Sequence, residues 1–165
     1  MEILAVINQE DIKLTADLAA IIWSEHYTDL IGQEQVDYMI KNFQSETVIS
    51  EQIGAGCEYF LVKYDNKYVG YFAIEPQFIL NQMFLSKLYV KQDFRGHGIA
   101  RQCVQFIVDR TKALNLSKIY LTVNKYNQIA IESYLKLGFV KVKSFTKDIG
   151  DGFIMDDYGM EKMVV

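Results

Sequence analysis

From Phe84 to the end of the chain the hydrophobic pattern alternates between a period of two and a period near 3.6, and this alternation constrains the fold more than any other feature. Phe84 to Val90 reads as a strand, with Phe84, Ser86, Leu88 and Val90 on one face and Leu85, Lys87 and Tyr89 on the other. Gly98 opens a helix whose buried stripe is Val104, Ile107, Val108 and Leu114. Lys118 to Val123 is a strand, and Gln128 to Leu137 is a helix stopped by Gly138. A further strand begins at Phe139, Gly150-Asp151-Gly152 turns the chain, and Phe153 to Val164 closes it as a last strand. Strands that alternate with helices and end in a hairpin predict a mixed sheet with helices on its faces, in the α/β or α+β class.

The first third is helical by the same test. Ile3 to Ile7 is a short apolar run, and Asn8 is placed to cap a helix whose face carries Ile12, Ala16, Ala19, Ile22 and Trp23 and ends near His26. A second helix follows Gly32, with Val36, Met39, Ile40 and Phe43 on one side, and Ser45 starts a third that stops before Gly54. Glu58 to Tyr64 and Lys67 to Ile74 flank Asp65-Asn66, a hairpin pattern. No linker, repeat or charge block divides the 165 residues, which predicts a single domain over 1–165. The formal charge of −4 argues against a nucleic-acid partner held by general electrostatics. With no basic leader and no apolar run of spanning length, the expectation is a cytoplasmic protein with no membrane partner. Cys57 and Cys103 are expected to be reduced thiols, and no spacing here suits a metal.

Two segments carry chemistry. Arg95-Gly96-His97-Gly98-Ile99-Ala100-Arg101 joins a strand to a helix, and its glycines free backbone N–H groups to point into one concavity beside a helix N-terminus. Lys91, Arg95 and Arg101 add positive charge to a net-negative chain. That is a cradle for a pyrophosphate. It is not a dinucleotide fingerprint, because Arg101 occupies the third glycine position, and no P-loop sequence exists. In the second segment Asn127 is placed to cap a helix, and Asn127, Ala130 and Tyr134 line one side of it. The small alanine lets a ligand run near the backbone. A tyrosine hydroxyl, which ordinarily ionises near pH 10, suits proton donation to a departing thiolate, although helix tyrosines also serve as packing.

Together the segments resemble the GCN5-related N-acetyltransferase (GNAT) family: Arg95-x-x-Gly98-x-Ala100 is similar to its Q/R-x-x-G-x-G/A signature, and Asn127-x-x-Ala130-x-x-x-Tyr134 with Gly138-Phe139 is similar to its second block. The resemblance implies the GNAT fold, a mixed sheet of about six to seven strands flanked by helices on both faces. It implies an enzyme that moves an acetyl group from acetyl-CoA to a primary amine by direct attack, with no acyl-enzyme and no metal. Carried over residue by residue, it gives Leu88, Tyr89 and Val90 to the pantetheine and thioester, and Arg95, Gly96, His97, Gly98, Ile99, Ala100 and Arg101 to the pyrophosphate. Asn127 and Ala130 would meet the pantetheine, and Tyr134 would protonate the CoA thiolate. A non-catalytic acyl-CoA-binding domain on the same fold, or acetylation of a protein N-terminus or lysine, stays open as an alternative.

Many members place a glutamate on the strand before the loop, where this chain has Ser86 and Lys87; either the base comes from elsewhere, with Glu25, His26, Asp37 and Glu75 as candidates, or the amine arrives neutral often enough, and no base is assigned. His26 is expected to be a capping imidazole and His97 an exposed loop residue. The stretch around Trp23 to Phe43 and the closing residues Phe153 to Met163 resemble bacterial polyamine-type members. Trp23, Glu25, Tyr27, Glu34 and Asp37 are therefore candidates for a cationic small-molecule amine, through Coulomb and cation–π attraction. The final strand, with alternating Phe153, Met155 and Tyr158, is a candidate for a homodimer interface.

Overall fold

The computed structural model describes Met1–Val165. Seven strands form one mixed sheet in the order β1-β2-β3-β4-β5-β7-β6, accompanied by five helices. The chain divides into two compact units, Met1–Glu75 with Lys87–Cys103, and Pro76–Ser86 with Val104–Val165. The α+β architecture expected from the alternating periods is the one observed.

In the first unit β1 (Glu2–Ala5) pairs antiparallel with β2 (Glu58–Tyr64), and β2 pairs antiparallel with β3 (Lys67–Gln77). Asp65 and Asn66 both take positive φ, as a two-residue hairpin turn requires. Three helices precede the hairpin: α1 (Gln9–Ile31), α2 (Gln33–Phe43) and α3 (Glu46–Gly54). Asn8 and Ser45 cap α1 and α3, accepting from the N–H groups of Asp11 and Val48. The first helix is longer than its apolar face implied. It runs past His26 to Ile31, because Tyr27 continues the buried stripe and the chain turns only at Gly32, where φ is +86°.

β4 (Gln82–Val90) keeps the two faces expected of it, with Met83, Leu85 and Lys87 all buried. Lys87 carries the one charge on that side. Its Nζ donates to the Phe43 carbonyl at the end of α2 (2.6 Å), to Gln52 Oε1 of α3 (3.2 Å) and to the Tyr59 hydroxyl of β2. Nearby, the Tyr71 hydroxyl donates to the buried Gln44 (2.9 Å). A long side chain thus ties two helices and a strand to β4 through neutral oxygens alone.

In the second unit β5 (Lys118–Asn124) pairs in parallel with the start of β4, Gln82–Leu85 opposite Lys118–Leu121. α4 (Ile99–Ala113) and α5 (Gln128–Lys136) supply the apolar side chains Val104, Ile107 and Ile131, while Ile119, Leu121 and Val123 supply those of β5. Leu114 lies beyond the end of α4 and is only half-buried; Cys103 completes the stripe instead. β6 (Val140–Gly150) and β7 (Phe153–Met163) form a long hairpin, and β6 is exposed along most of its length. Tyr158 falls on the face opposite Phe153 and Met155, because β7 runs without a bulge and its side chains alternate strictly. The three do not make one surface. Lys141 and Lys125 instead sit over the Tyr158 ring, 4.3 and 5.5 Å from its centre.

Burial lowers the pKa of Lys87 to about 8 from 10.5. Between those values the unfolded chain holds a proton that the folded chain has released, so stability should rise with pH from about 8 toward 9.5. Urea-unfolding midpoints should climb over that interval in the wild type and stay level in Lys87→Met. A wild-type midpoint that does not move would mean that the ammonium is not buried as described.

Candidate functional site

The loop that leaves β4 is built by the strand beside it. Gly70 of β3 lies so close to β4 that a Cβ there would stand 2.5 Å from the Tyr89 carbonyl oxygen and 3.3 Å from the Val90 Cα. A β-bulge between Val62 and Lys63 accompanies this approach, and the Lys91 N–H donates to the Val69 carbonyl (2.8 Å). Gln92–Phe94 then forms one 3-10 turn, with Phe94 and Arg95 N–H groups donating back to Lys91 and Gln92.

Gly96 and Gly98 take φ of +82° and +75°, and a Cβ on either would meet no atom within 4 Å. The backbone here faces open space in a conformation that L-residues rarely adopt. The Gly98 carbonyl accepts the first bond of α4, from Gln102 (3.2 Å), so the N–H groups of Ile99, Ala100 and Arg101 belong to a helix start with no acidic side chain in its first turn. The loop therefore presents donors and positive potential together.

Arg95 braces this turn. Its Nε donates to the Val90 carbonyl (3.2 Å), and Nη1 lies 3.3 Å from His26 Nδ1. A guanidinium has no acceptor, so His26 Nδ1 receives the bond and the ring proton sits on Nε2. His26 is thus no helix cap: it stands inside α1, edge-on to Tyr27, and faces the loop. His97 is exposed as expected, with Nδ1 near the Phe94 and Arg95 carbonyls (3.0 and 3.2 Å).

Trp23 and Tyr27 are buried in an aromatic cluster. Their rings stack at 4.2 Å, and Tyr89 packs 5.4 Å from Trp23 and 6.2 Å from Tyr27. Tyr71 stands 5.4 Å from Tyr89 on the same cluster. The Trp23 indole N–H lies toward the Tyr71 hydroxyl without completing a hydrogen bond of ordinary geometry. Glu25, Glu34 and Asp37 go the other way, into solvent. Positions two apart on a helix do not share a face, so Glu25 cannot join Trp23 and Tyr27, which are four apart. Asp37 accepts from Gln33 on its own helix (2.8 Å). The structure does not gather these five residues around one cavity.

The second unit positions the other motif. β5 ends at Asn124, whose Oδ1 accepts from the Tyr126 N–H (2.9 Å) and whose carbonyl accepts from Asn127 (3.0 Å). That tight turn delivers Asn127 to the start of α5, where its Oδ1 accepts from Ala130 N–H (3.2 Å). Asn127 is 3% exposed; Ala130 and Tyr134 are half-buried, and the Tyr134 ring meets Phe139 edge-on at 5.4 Å. Cys103 is buried and its thiol is pushed up to about 12, which leaves no thiolate to act as nucleophile.

One group of the second unit escaped sequence reasoning. Asp157 of β7 is 8% exposed, and its Oδ1 has no hydrogen-bond partner. Burial and the neighbouring Asp156 raise its pKa to about 6. The available signal was the pair Asp156-Asp157 within a strand, since adjacent residues point to opposite faces and one of two carboxylates must turn inward.

Residues 17–139 match the sequence model of the Acetyltransferase (GNAT) family. An uncharacterized N-acetyltransferase of the pepI 3′ region of Lactobacillus delbrueckii subsp. lactis is 19% identical over 138 residues, covering 77% of this chain and 80% of its own. Among solved structures, the PaiA N-acetyltransferase of Thermoplasma acidophilum in complex with coenzyme A superposes with a TM-score of 0.77 at 20% identity, over 99% of both chains. A GCN5-related N-acetyltransferase of Rhodopseudomonas palustris reaches 0.82 at 16% identity, over 98% of this chain and 94% of its own.

Gly70→Ala tests the packing that sets the loop. The new methyl group must displace backbone rather than a flexible side chain, at a cost of about 1–3 kcal/mol. The thermal midpoint should fall by several degrees and acetyl-CoA should bind more weakly. An unchanged midpoint with unchanged affinity would mean that the close approach does not determine where β4 ends.

Proposed function

Because the chain belongs to the GNAT family of acetyltransferases, and is an acetyl-CoA-dependent N-acetyltransferase, we propose that its loop from Arg95 to Arg101 holds the pyrophosphate of acetyl-CoA mainly through main-chain N–H groups. The observation that carries this reading is the pair of positive-φ glycines at the start of α4, whose Cβ directions open onto empty space. A phosphate that approaches main chain needs that space, and it gains from the helix dipole and from Lys91, Arg95 and Arg101. Leu88, Tyr89 and Val90 lie beyond the paired segment of β4 and β5, which ends at Leu85 and Leu121. Their backbone groups are assigned to the pantetheine and the thioester carbonyl. Asn127 and Ala130 are assigned to the pantetheine arm, and Tyr134 to the CoA sulfur.

The acceptor is a small primary amine that attacks the thioester directly. The buried, high-pKa Cys103 is removed as an acyl carrier, which is in keeping with this route. A polyamine belongs to this acceptor class, but the outward turn of Glu25, Glu34 and Asp37 gives it no special support over other amines.

Two substitutions separate binding from chemistry. Gly98→Asp places a carboxylate where the anion would approach, and aspartate tolerates positive φ better than most residues, so the fold should survive. Acetyl-CoA affinity measured by calorimetry should drop by roughly tenfold or more, about 1.4 kcal/mol per decade. Undiminished affinity would remove the pyrophosphate from this loop. Tyr134→Phe should lower kcat by about 10- to 10⁴-fold with acetyl-CoA affinity little changed. Full turnover in that variant would return Tyr134 to a packing role.

A further inference from the structure

We propose that Asp157 is the carboxylate that receives the acceptor's amino group and takes its proton. The inference rests on the transferase reading above and names the base which that reading leaves unassigned. Asp157 lies on β7 opposite Asn124, the last residue of β5, and opposite Phe145 of β6. Asn124 begins the turn that delivers Asn127 and α5, so Asp157 stands beside the carboxyl end of a strand parallel to its neighbour β4. In open sheets with parallel strands, ligands collect at that end.

The chemistry of the carboxyl points the same way. None of the charged groups around it donates to Oδ1. Lys125, from the turn after β5, is ion-paired with Asp156 at 2.6 Å and lies over the Tyr158 ring. Lys147 of β6 is exposed and diagonal to Asp157 across the strands, Lys143, diagonal on the other side, lies over the Tyr120 and Phe145 rings, and Asp156 repels Asp157. Asn124, directly opposite, spends its Oδ1 on the Tyr126 N–H. A buried carboxylate oxygen without a donor is costly, and natural proteins rarely leave one without a reason. An alkylammonium ion supplies what is missing: an N–H donor and a compensating charge.

The step balances with acetyl-CoA as the second reactant. Asp157 accepts one proton from the ammonium group, and the freed nitrogen lone pair forms the C–N bond to the thioester carbon. The C–S bond breaks with its electron pair on sulfur, and the thiolate takes the Tyr134 proton. The second nitrogen proton passes to the phenolate, and the proton on Asp157 leaves to solvent. A carboxyl raised to about 6 is ionised at neutral pH and still basic enough to accept a proton transiently.

The test uses the full chain with acetyl-CoA and three probe amines, spermidine, tyramine and the dipeptide alanyl-glycine, with CoA release as the readout. For the best of these, Asp157→Asn should lower kcat/KM by about 10²–10⁴-fold and remove the acid limb that the wild type shows near pH 6, with acetyl-CoA affinity unchanged. Formate should restore part of the rate to Asp157→Ala, which a purely structural carboxylate would not permit. In the wild type, the ¹³C-detected titration of the Asp157 carboxyl should move to lower pH when the best probe saturates the protein, so the proposal stays testable if the variants do not fold. Wild-type kcat/KM and an intact acid limb in Asp157→Asn, or a carboxyl titration that the probe does not move, overturns the assignment of Asp157 alone. Loss of acetyl-CoA binding in the wild type overturns the transferase reading, and this inference with it.

Discussion

The contact between Gly70 and the backbone of Tyr89 and Val90 is the constraint on which the first unit depends. A strand that is to offer its main chain to a ligand has to be held by something other than a full set of ladders on both edges. β4 is held partly by close packing against a glycine, partly by its inward side chains. Lys87 fastens it to α2, α3 and β2, and Tyr89 seats it in the cluster of Trp23, Tyr27 and Tyr71. With the strand end fixed, the 3-10 turn, the two positive-φ glycines and the start of α4 follow in sequence. Arg95 closes the assembly by bonding back to Val90 and across to His26.

This arrangement explains the lysine at a place where many family members carry a glutamate. An ammonium group with three donors, held by a carbonyl, an amide oxygen and a phenol, is a fastener. It has no capacity left to act on a substrate. Asp157 has the opposite character: a buried acceptor for which the protein supplies no donor. The two groups show how environment separates structural from chemical charge more sharply than residue type does.

The fold was largely legible because its elements announce themselves by period and punctuation. The alternation correctly grouped Lys87 with Leu85 and Tyr89 on one face, which the structure turns inward, and Asn8, Ser45 and Asn127 mark helix starts that their side chains do cap. The end of α1 was not legible, since no residue between His26 and Gly32 breaks a helix. The aromatic residues of α1 and the acids of α1 and α2 looked like one cation site along the sequence. Helical geometry separates them, sending the rings inward and the carboxylates out. Asp157 was missed because a carboxylate's role depends on what stands across the strands from it, and register is not written in any local pattern. The backbone geometry from Arg95 to Arg101 was legible for the opposite reason: a glycine pair at a strand-to-helix junction marks positive φ, and backbone demands are what sequence records best.

Amide NMR reads the main-chain N–H groups at the start of α4 directly, and with them the proposed hold on the acetyl donor. In a ¹⁵N-labelled sample titrated with acetyl-CoA, the resonances of Gly96, Gly98, Ile99, Ala100 and Arg101 should shift along one common isotherm and gain protection from hydrogen exchange at saturation. Saturation of the protein by acetyl-CoA with these five amides unmoved would contradict the account.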